Sequence, residues 1–159
     1  MSKELIEKAE YLIQQNTVHS GPEGSSPYCV LALIDKDGVP TASTITPSKS
    51  HGIQWISFCT GFGSTKANRI LNNSNASVCF NTGGSYNITL KGWIEVSTDP
   101  EKKQEMWYSG MGDHFSGPDD PGYCTLIFHT TNYNLWIDCQ AAIGTLDILK
   151  PNDSAAQAR

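Results

Sequence analysis

The chain is punctuated into apolar runs of strand length separated by turn signals, and this spacing constrains its fold more than any other feature. "YCVLALI" (28–34) is a continuous apolar run. "DKDG" (35–38) is a turn signal, so "VPTASTITP" (39–47) returns as its hairpin partner. "SKSHG" (48–52) turns again into "IQWISFCT" (53–60), whose imperfect alternation suits a strand covered on both sides. "ASVCF" (76–80) is a further strand, and "NTGGS" (81–85) turns into the long strand "YNITLKGWIEV" (86–96). Gly92 within it marks a bulge or bend. "YCTLIFHT" (123–130) and "YNLWIDC" (133–139) read as the last two strands, joined by a tight turn.

Three helices fit between these runs. Leu5, Ile6, Ala9, Leu12 and Ile13 recur at helical spacing over residues 1–16, with Ser2 as a cap. Ser64 to Leu71 reads as a short helix. A third starts at Thr98 or Asp99, with Pro100 in its first turn and Glu101 completing a capping box, and runs to about Tyr108. The fold class is therefore mainly β (α+β): six or seven mostly antiparallel strands closing as a barrel with helices packed outside. One domain is expected over residues 1–147, with 148–159 as a flexible polar tail.

Charge and composition exclude several functions. The net charge is −5, and only two of the 159 residues are arginine, Arg69 and Arg159. That argues against a nucleic-acid footprint. No apolar run approaches the ~20 residues of a membrane span. The charged, amphipathic first residues are unlike a signal peptide, so a cytoplasmic protein is expected. Five cysteines (29, 59, 79, 124, 139) lie in apolar runs without C-x-x-C spacing, and read as free thiols. The histidines lack metal-ligand spacing, Asp119-Asp120 fits a turn between prolines, and no Ser-His-Asp arrangement is legible.

One motif carries chemistry. "FCTGFGSTKANRI" (58–70) is a strand, a glycine turn and a helix start bearing hydroxyls and a lysine. A nucleotide P-loop needs lysine directly after glycine, and here Ser64 and Thr65 intervene. A dinucleotide fingerprint needs a third glycine that is absent. Free N–H groups and the positive dipole end favour an anion at such a turn, and a phosphate monoester suits it. The equally weighted alternative is a serine cap beside a solvated lysine.

In order, "ISFCTGFGSTKANRILNNSNASVCFN", "LKGWIEVSTDPEKKQEMW" and "GPDDPGYCTLIFHTTNYNLWID" resemble the flavin-binding core, next strand and helix, and ending of the pyridoxamine 5′-phosphate oxidase-like split-barrel family, in its general-stress-protein branch. The resemblance implies a split β-barrel homodimer with FMN at the subunit interface. It implies Ser64, Thr65 and Lys66 at the phosphate. Phe58, Cys59 and Thr60 would lie along the ring and ribityl chain, and Ser43, Thr44 and Ile45 at the pyrimidine edge. Asn87 would reach the flavin across the dimer, and Trp107 and Trp136 would cover the ring. The implied activity is that of a small flavin-dependent oxidoreductase with a small-molecule electron donor or acceptor. A non-catalytic flavin-binding stress protein, or the same barrel holding the deazaflavin F420 or haem, are the alternatives.

Two departures stand out. Relatives often carry arginine where this chain has Thr65, which removes a charge-assisted bond worth on the order of 1–3 kcal/mol. Arg69, three residues beyond Lys66, is the candidate to compensate. The true oxidase also needs basic residues for its substrate phosphate, and no arginine occurs between Arg69 and Arg159. The chain is therefore expected not to oxidise pyridoxamine phosphate appreciably. Robust turnover of that substrate would overturn the expectation.

Overall fold

A computed structural model describes residues 2–147. The tail expected over 148–159 lies outside the described residues. The spine of the fold is a pair of long antiparallel strands, β6 (Tyr86–Ser97) and β7 (Tyr123–Ile137). Their ladder shifts register between Lys91 and Gly92, the position the sequence marks as a bulge. Glycine is obligatory there, because a Cβ would lie 1.8 Å from the carbonyl oxygen of His129.

The other strands extend from this pair. On one side β6 pairs with β5 (Asn75–Phe80), β5 with β1 (Cys29–Ile34), and β1 with β2 (Pro40–Ile45). On the other side β7 shares one edge between two strands. Its first half pairs with β4 (Trp55–Gly61) and its second half with β8 (Gln140–Thr145). β3 (Pro47–His51) completes the sheet against β4. All eight strands are antiparallel to their neighbours. β2 and β3 stand at opposite ends of the strand order, yet only Thr46 separates them in the chain. The sheet therefore curls until its two edges meet at that corner, giving a split barrel.

The curl encloses a single core. Leu31, Ile56, Phe58, Val78, Leu90, Ile94, Leu126 and Phe128 all belong to it. The helices depart from a uniformly external position. α1 (Ser2–Gln15) inserts Leu5, Ala9 and Ile13 into the core cluster, and α2 (Thr65–Asn72) inserts Ile70. Only α3 (Pro100–Met106) contacts the outer face, where Met106 meets Ser57. Its cap is Asp99, whose carboxylate accepts from the Glu101 N–H at 3.0 Å, and the helix ends at Met106 rather than Tyr108.

The strand count differs from the expected six or seven in three places. The tight turn expected at "TN" (131–132), after Thr130, is not formed, and β7 runs through it. Thr130 is fully buried and Thr131 Oγ1 donates to the Lys91 carbonyl oxygen. β-branched threonine suits the pleat as well as a turn. The actual reversal is Asp138-Cys139, both with positive φ, which leads into β8. Residues 47–51, which resemble a turn, form β3. Gly92→Ala should therefore cost at least about 2 kcal/mol in urea-induced unfolding, by forcing β6 and β7 apart.

Candidate functional site

The turn after β4 is built by local hydrogen bonds. Gly63 has φ 84°, a conformation that disfavours any other residue, and returns the chain into α2. Ser64 then caps the helix: its hydroxyl accepts from the Ala67 N–H at 3.2 Å and from Thr60 Oγ1 at 3.3 Å. Asn68 Nδ2 donates to the Gly63 carbonyl oxygen at 3.2 Å and ties the turn to the helix face. The cap leaves the N–H groups of Thr65 and Lys66 with no acceptor inside the helix, as at any helix start. Thr65 is exposed and Lys66 half-buried.

The charge at this helix start is inverted. α1 and α3 each carry a glutamate in the first turn, Glu4 and Glu101, which complements the positive end of the dipole. Both also carry a first-turn lysine, Lys3 and Lys102, beside that glutamate, whereas α2 has Lys66 there and no acid. Among the described residues no carboxylate lies within ion-pair distance of Lys66. A cation and a helix dipole thus present the same sign at one point.

Several of the remaining sequence candidates converge on this turn. Pro47 is registered against Phe58, so Ser43, Thr44 and Ile45 lead directly toward the segment from Phe58 to Thr60. The backbone of that segment is paired with β7, and the Phe58 side chain is fully buried in the core. Cys59 points outward to α3, with its Sγ 3.3 Å from both the Met106 carbonyl oxygen and Tyr123 Oη. Burial pushes its thiol pKa up, and it stays protonated at neutral pH. Burial also raises Tyr123, whose hydroxyl donates to the Lys103 carbonyl oxygen at 3.0 Å. Trp107 stands edge-on to Tyr123, with ring centroids 5.2 Å apart.

Asn87 and Trp136 form a separate group. They are direct partners across β6 and β7 on the outer face of the sheet, where Asn87 Oδ1 accepts from Cys79 Sγ at 3.2 Å. This pair lies at the end of β7, whereas Tyr123 and Trp107 lie at its start, with about 40 Å of strand path between them. Thr44 shares the outer face with Asn87 through the row Thr44–Val30–Cys79–Thr89. Three consecutive residues of β2, Ala42, Ser43 and Thr44, are exposed on this edge strand.

Arg69 lines a cavity of about 370 Å³ with Thr65, Asn68 and Asn72, facing the turn from Asp35 to Asp37. Tyr123, Met106 and Asn68 also build this region, beyond the residues expected from the sequence. Met106 acts through its carbonyl, which accepts from Ser48 as well as Cys59, and a backbone contact leaves no residue-type signal. Asp120 confirms the turn assigned to it: its carboxylate accepts from the Ser116 and Gly122 N–H groups at 2.9 and 2.8 Å. Among the described residues no metal-binding group of side chains occurs, and no helix is long and apolar enough to cross a membrane.

Residues 22–137 match the protein family described as pyridoxamine 5′-phosphate oxidase. No curated protein matches the chain. A solved structure from Clostridium acetobutylicum, of a protein related to general stress protein 26, superposes with a TM-score of 0.75 at 19% identity. The match covers 92% of this chain and 98% of that one. A pyridoxamine 5′-phosphate oxidase-related, FMN-binding protein from Nostoc punctiforme superposes with a TM-score of 0.59 at 14% identity, over 92% and 95% of the two chains. A haem-binding protein from Mycobacterium smegmatis gives 0.60 at 14% identity, over 84% of this chain and 57% of that one. At these identities the likeness to solved structures is one of fold.

The cap is directly testable. Ser64→Ala should lower stability by about 1 kcal/mol in thermal or urea unfolding, while Ser64→Asp keeps it.

Proposed function

The chain belongs to the pyridoxamine 5′-phosphate oxidase family, and we propose that it binds FMN as a homodimer and serves as a small flavin-dependent oxidoreductase. The observation that carries this reading is the inverted charge at the start of α2. Lys66 stands at the positive end of the helix dipole without a counter-charge, an arrangement that costs the free helix stability and is offset when a dianion binds. The Ser64 and Thr65 hydroxyls and the unpaired N–H groups of Thr65 and Lys66 supply neutral donors around that charge. The donor set fits a phosphate monoester.

The rest of the ligand would run from this turn along the Phe58–Thr60 backbone toward Ser43, Thr44 and Ile45. Trp107 would close one side of it. The separation of Asn87 and Trp136 from this group along β7 supports the homodimer, in which a second copy brings those two residues to the ring. The exposed β2 edge supports it too. Bound FMN would supply hydride or electron transfer. The chain's own residues would bind and orient it and exclude water. With the Cys59 thiol and Tyr123 hydroxyl both held protonated by burial, they offer no general base near neutral pH. The physiological electron donor and acceptor are small molecules in this reading, and the location is the cytoplasm.

The haem-binding neighbour motivates one rival ligand. His129 is a poor axial ligand, because its ring is stacked 4.2 Å from that of Trp93 and its Nε2 stands 3.9 Å from the Glu95 carboxylate. His114 is exposed on the loop before β7. Purified protein should show a flavin absorption spectrum and release FMN identifiable by mass. A haem spectrum, or no uptake of FMN, would sink the proposal. Steady oxidation of NADH or NADPH with an acceptor separates the enzyme from a non-catalytic flavin binder. Lys66→Glu separates site from scaffold: it should add about 0.5 kcal/mol to the stability of the FMN-free protein. The same substitution should weaken FMN binding by more than about tenfold.

A further inference from the structure

The cavity beside α2 carries charges of both signs that do not meet. Thr65, Asn68, Arg69 and Asn72 recur at helical spacing on one face of α2 and form one wall. The turn between β1 and β2 forms the other, with Asp35, Lys36 and Asp37. Two carboxylates and two cations thus surround a volume of about 370 Å³, and their formal charges cancel. Among the described residues none of these four side chains forms an ion pair. Arg69 is half-buried, so its guanidinium is screened less than a fully exposed one. The acidic wall is fixed before anything enters. The Asp35 N–H donates to the Val39 carbonyl oxygen and the Gly38 N–H to the Asp35 carbonyl oxygen, both at 3.0 Å. Asp35 Oδ1 accepts from the N–H groups of Asp37 and Val39 at 2.9 Å each, which leaves Asp35 Oδ2 and the Asp37 carboxylate to face the cavity.

We propose that this cavity binds a small zwitterionic amino acid, with its carboxylate on Arg69 and its ammonium on Asp37 and Asp35. The planar fork of a guanidinium matches a carboxylate in two parallel hydrogen bonds. The volume stands at the lower end for small-molecule sites, which suits a ligand of this size. A simple anion would meet two carboxylates on the far wall, and a simple cation would meet Arg69 and Lys36. A ligand with both charges satisfies both walls at once and leaves the neutral lining neutral. The lining includes neither Ser64 nor Lys66, and the proposal does not rest on the flavin reading.

The experiment follows thermal unfolding and calorimetric titration with glycine, β-alanine and γ-aminobutyrate, whose two charges stand progressively further apart. Butyrate and butylamine, at equal ionic strength, are the single-charge controls. At least one amino acid should raise the unfolding temperature saturably below about 10 mM, and neither control should. Arg69→Gln and Asp37→Asn should each weaken that binding by about tenfold or more, with unfolding curves in the absence of ligand showing that both variants fold. If either variant does not fold, the comparison of ligands on the unaltered chain decides. Butyrate binding as tightly as the amino acids, with Asp37→Asn silent, would make this an anion site and overturn the proposal. Butylamine binding as tightly, with Arg69→Gln silent, would overturn it as a cation site. No saturable response to any of the three amino acids would mean that the facing charges are simply hydrated, and would overturn it as well.

Discussion

The close approach of β6 to β7 at Gly92 is the contact on which the rest of the architecture depends. The bulge falls where β7 changes partners along its other edge. β4 pairs up to His129 and β8 begins at Asn132, while the Thr130 N–H between them donates to the Gln54 carbonyl oxygen at 2.9 Å. The Trp93–His129 stack and the Thr131 hydroxyl on the Lys91 carbonyl fix the same corner from either side. A bulge strengthens local twist. Here it lets a fifteen-residue strand bend around one core instead of extending as a flat edge. The start of β7 is thereby carried to the glycine turn, and its end to the outer face that bears Asn87.

On that scaffold, in the proposed reading, the turn before α2 gives up helix stability in favour of anion binding. In two helices a glutamate offsets the first-turn lysine, and in the third, where the sequence motif lies, no acid does. A helix start that repels its own lysine is pre-organised for an anion, since nothing must be displaced for the anion to enter. The capping serine, the Asn68 bond and the αL glycine hold the geometry in place without the ligand. The proposed flavin chemistry then asks little of side-chain acids and bases, in keeping with thiol and phenol groups that burial holds protonated.

Much of this was legible in the sequence where a residue type has one structural use. Gly92 announced a bulge, Ser64 a cap, Pro100 a helix start, and the apolar runs the strands of the sheet. Misreadings arose where one residue type serves two ends. Thr131 and Asn132 read as a turn because they are polar, yet β7 runs through them and the Thr131 hydroxyl is bonded within the ladder. Asp138 and Cys139 make the real reversal in a conformation more usual for glycine or asparagine. Phe58 fits the binding motif by position, but strand alternation sends its ring into the core. Asn87 and Trp136 could be named but not located, since their separation from the turn depends on how far β7 runs.

The single residue joining β2 to β3 has a consequence of its own. The two edges of the sheet are linked by the chain at Thr46 and by no ladder of hydrogen bonds, so the ring is closed covalently at one corner and left unzipped along the rest of the seam. Along that seam the β3 backbone instead accepts from the N–H groups of Val18 and His19, at the Pro47 and Ser48 carbonyl oxygens (3.0 and 3.1 Å). Ser43, Thr44 and Ile45 lie immediately before it. Among the described residues, what holds the two edges together beyond that residue is side-chain packing and the cover of the Val18–His19 backbone, not a ladder between them.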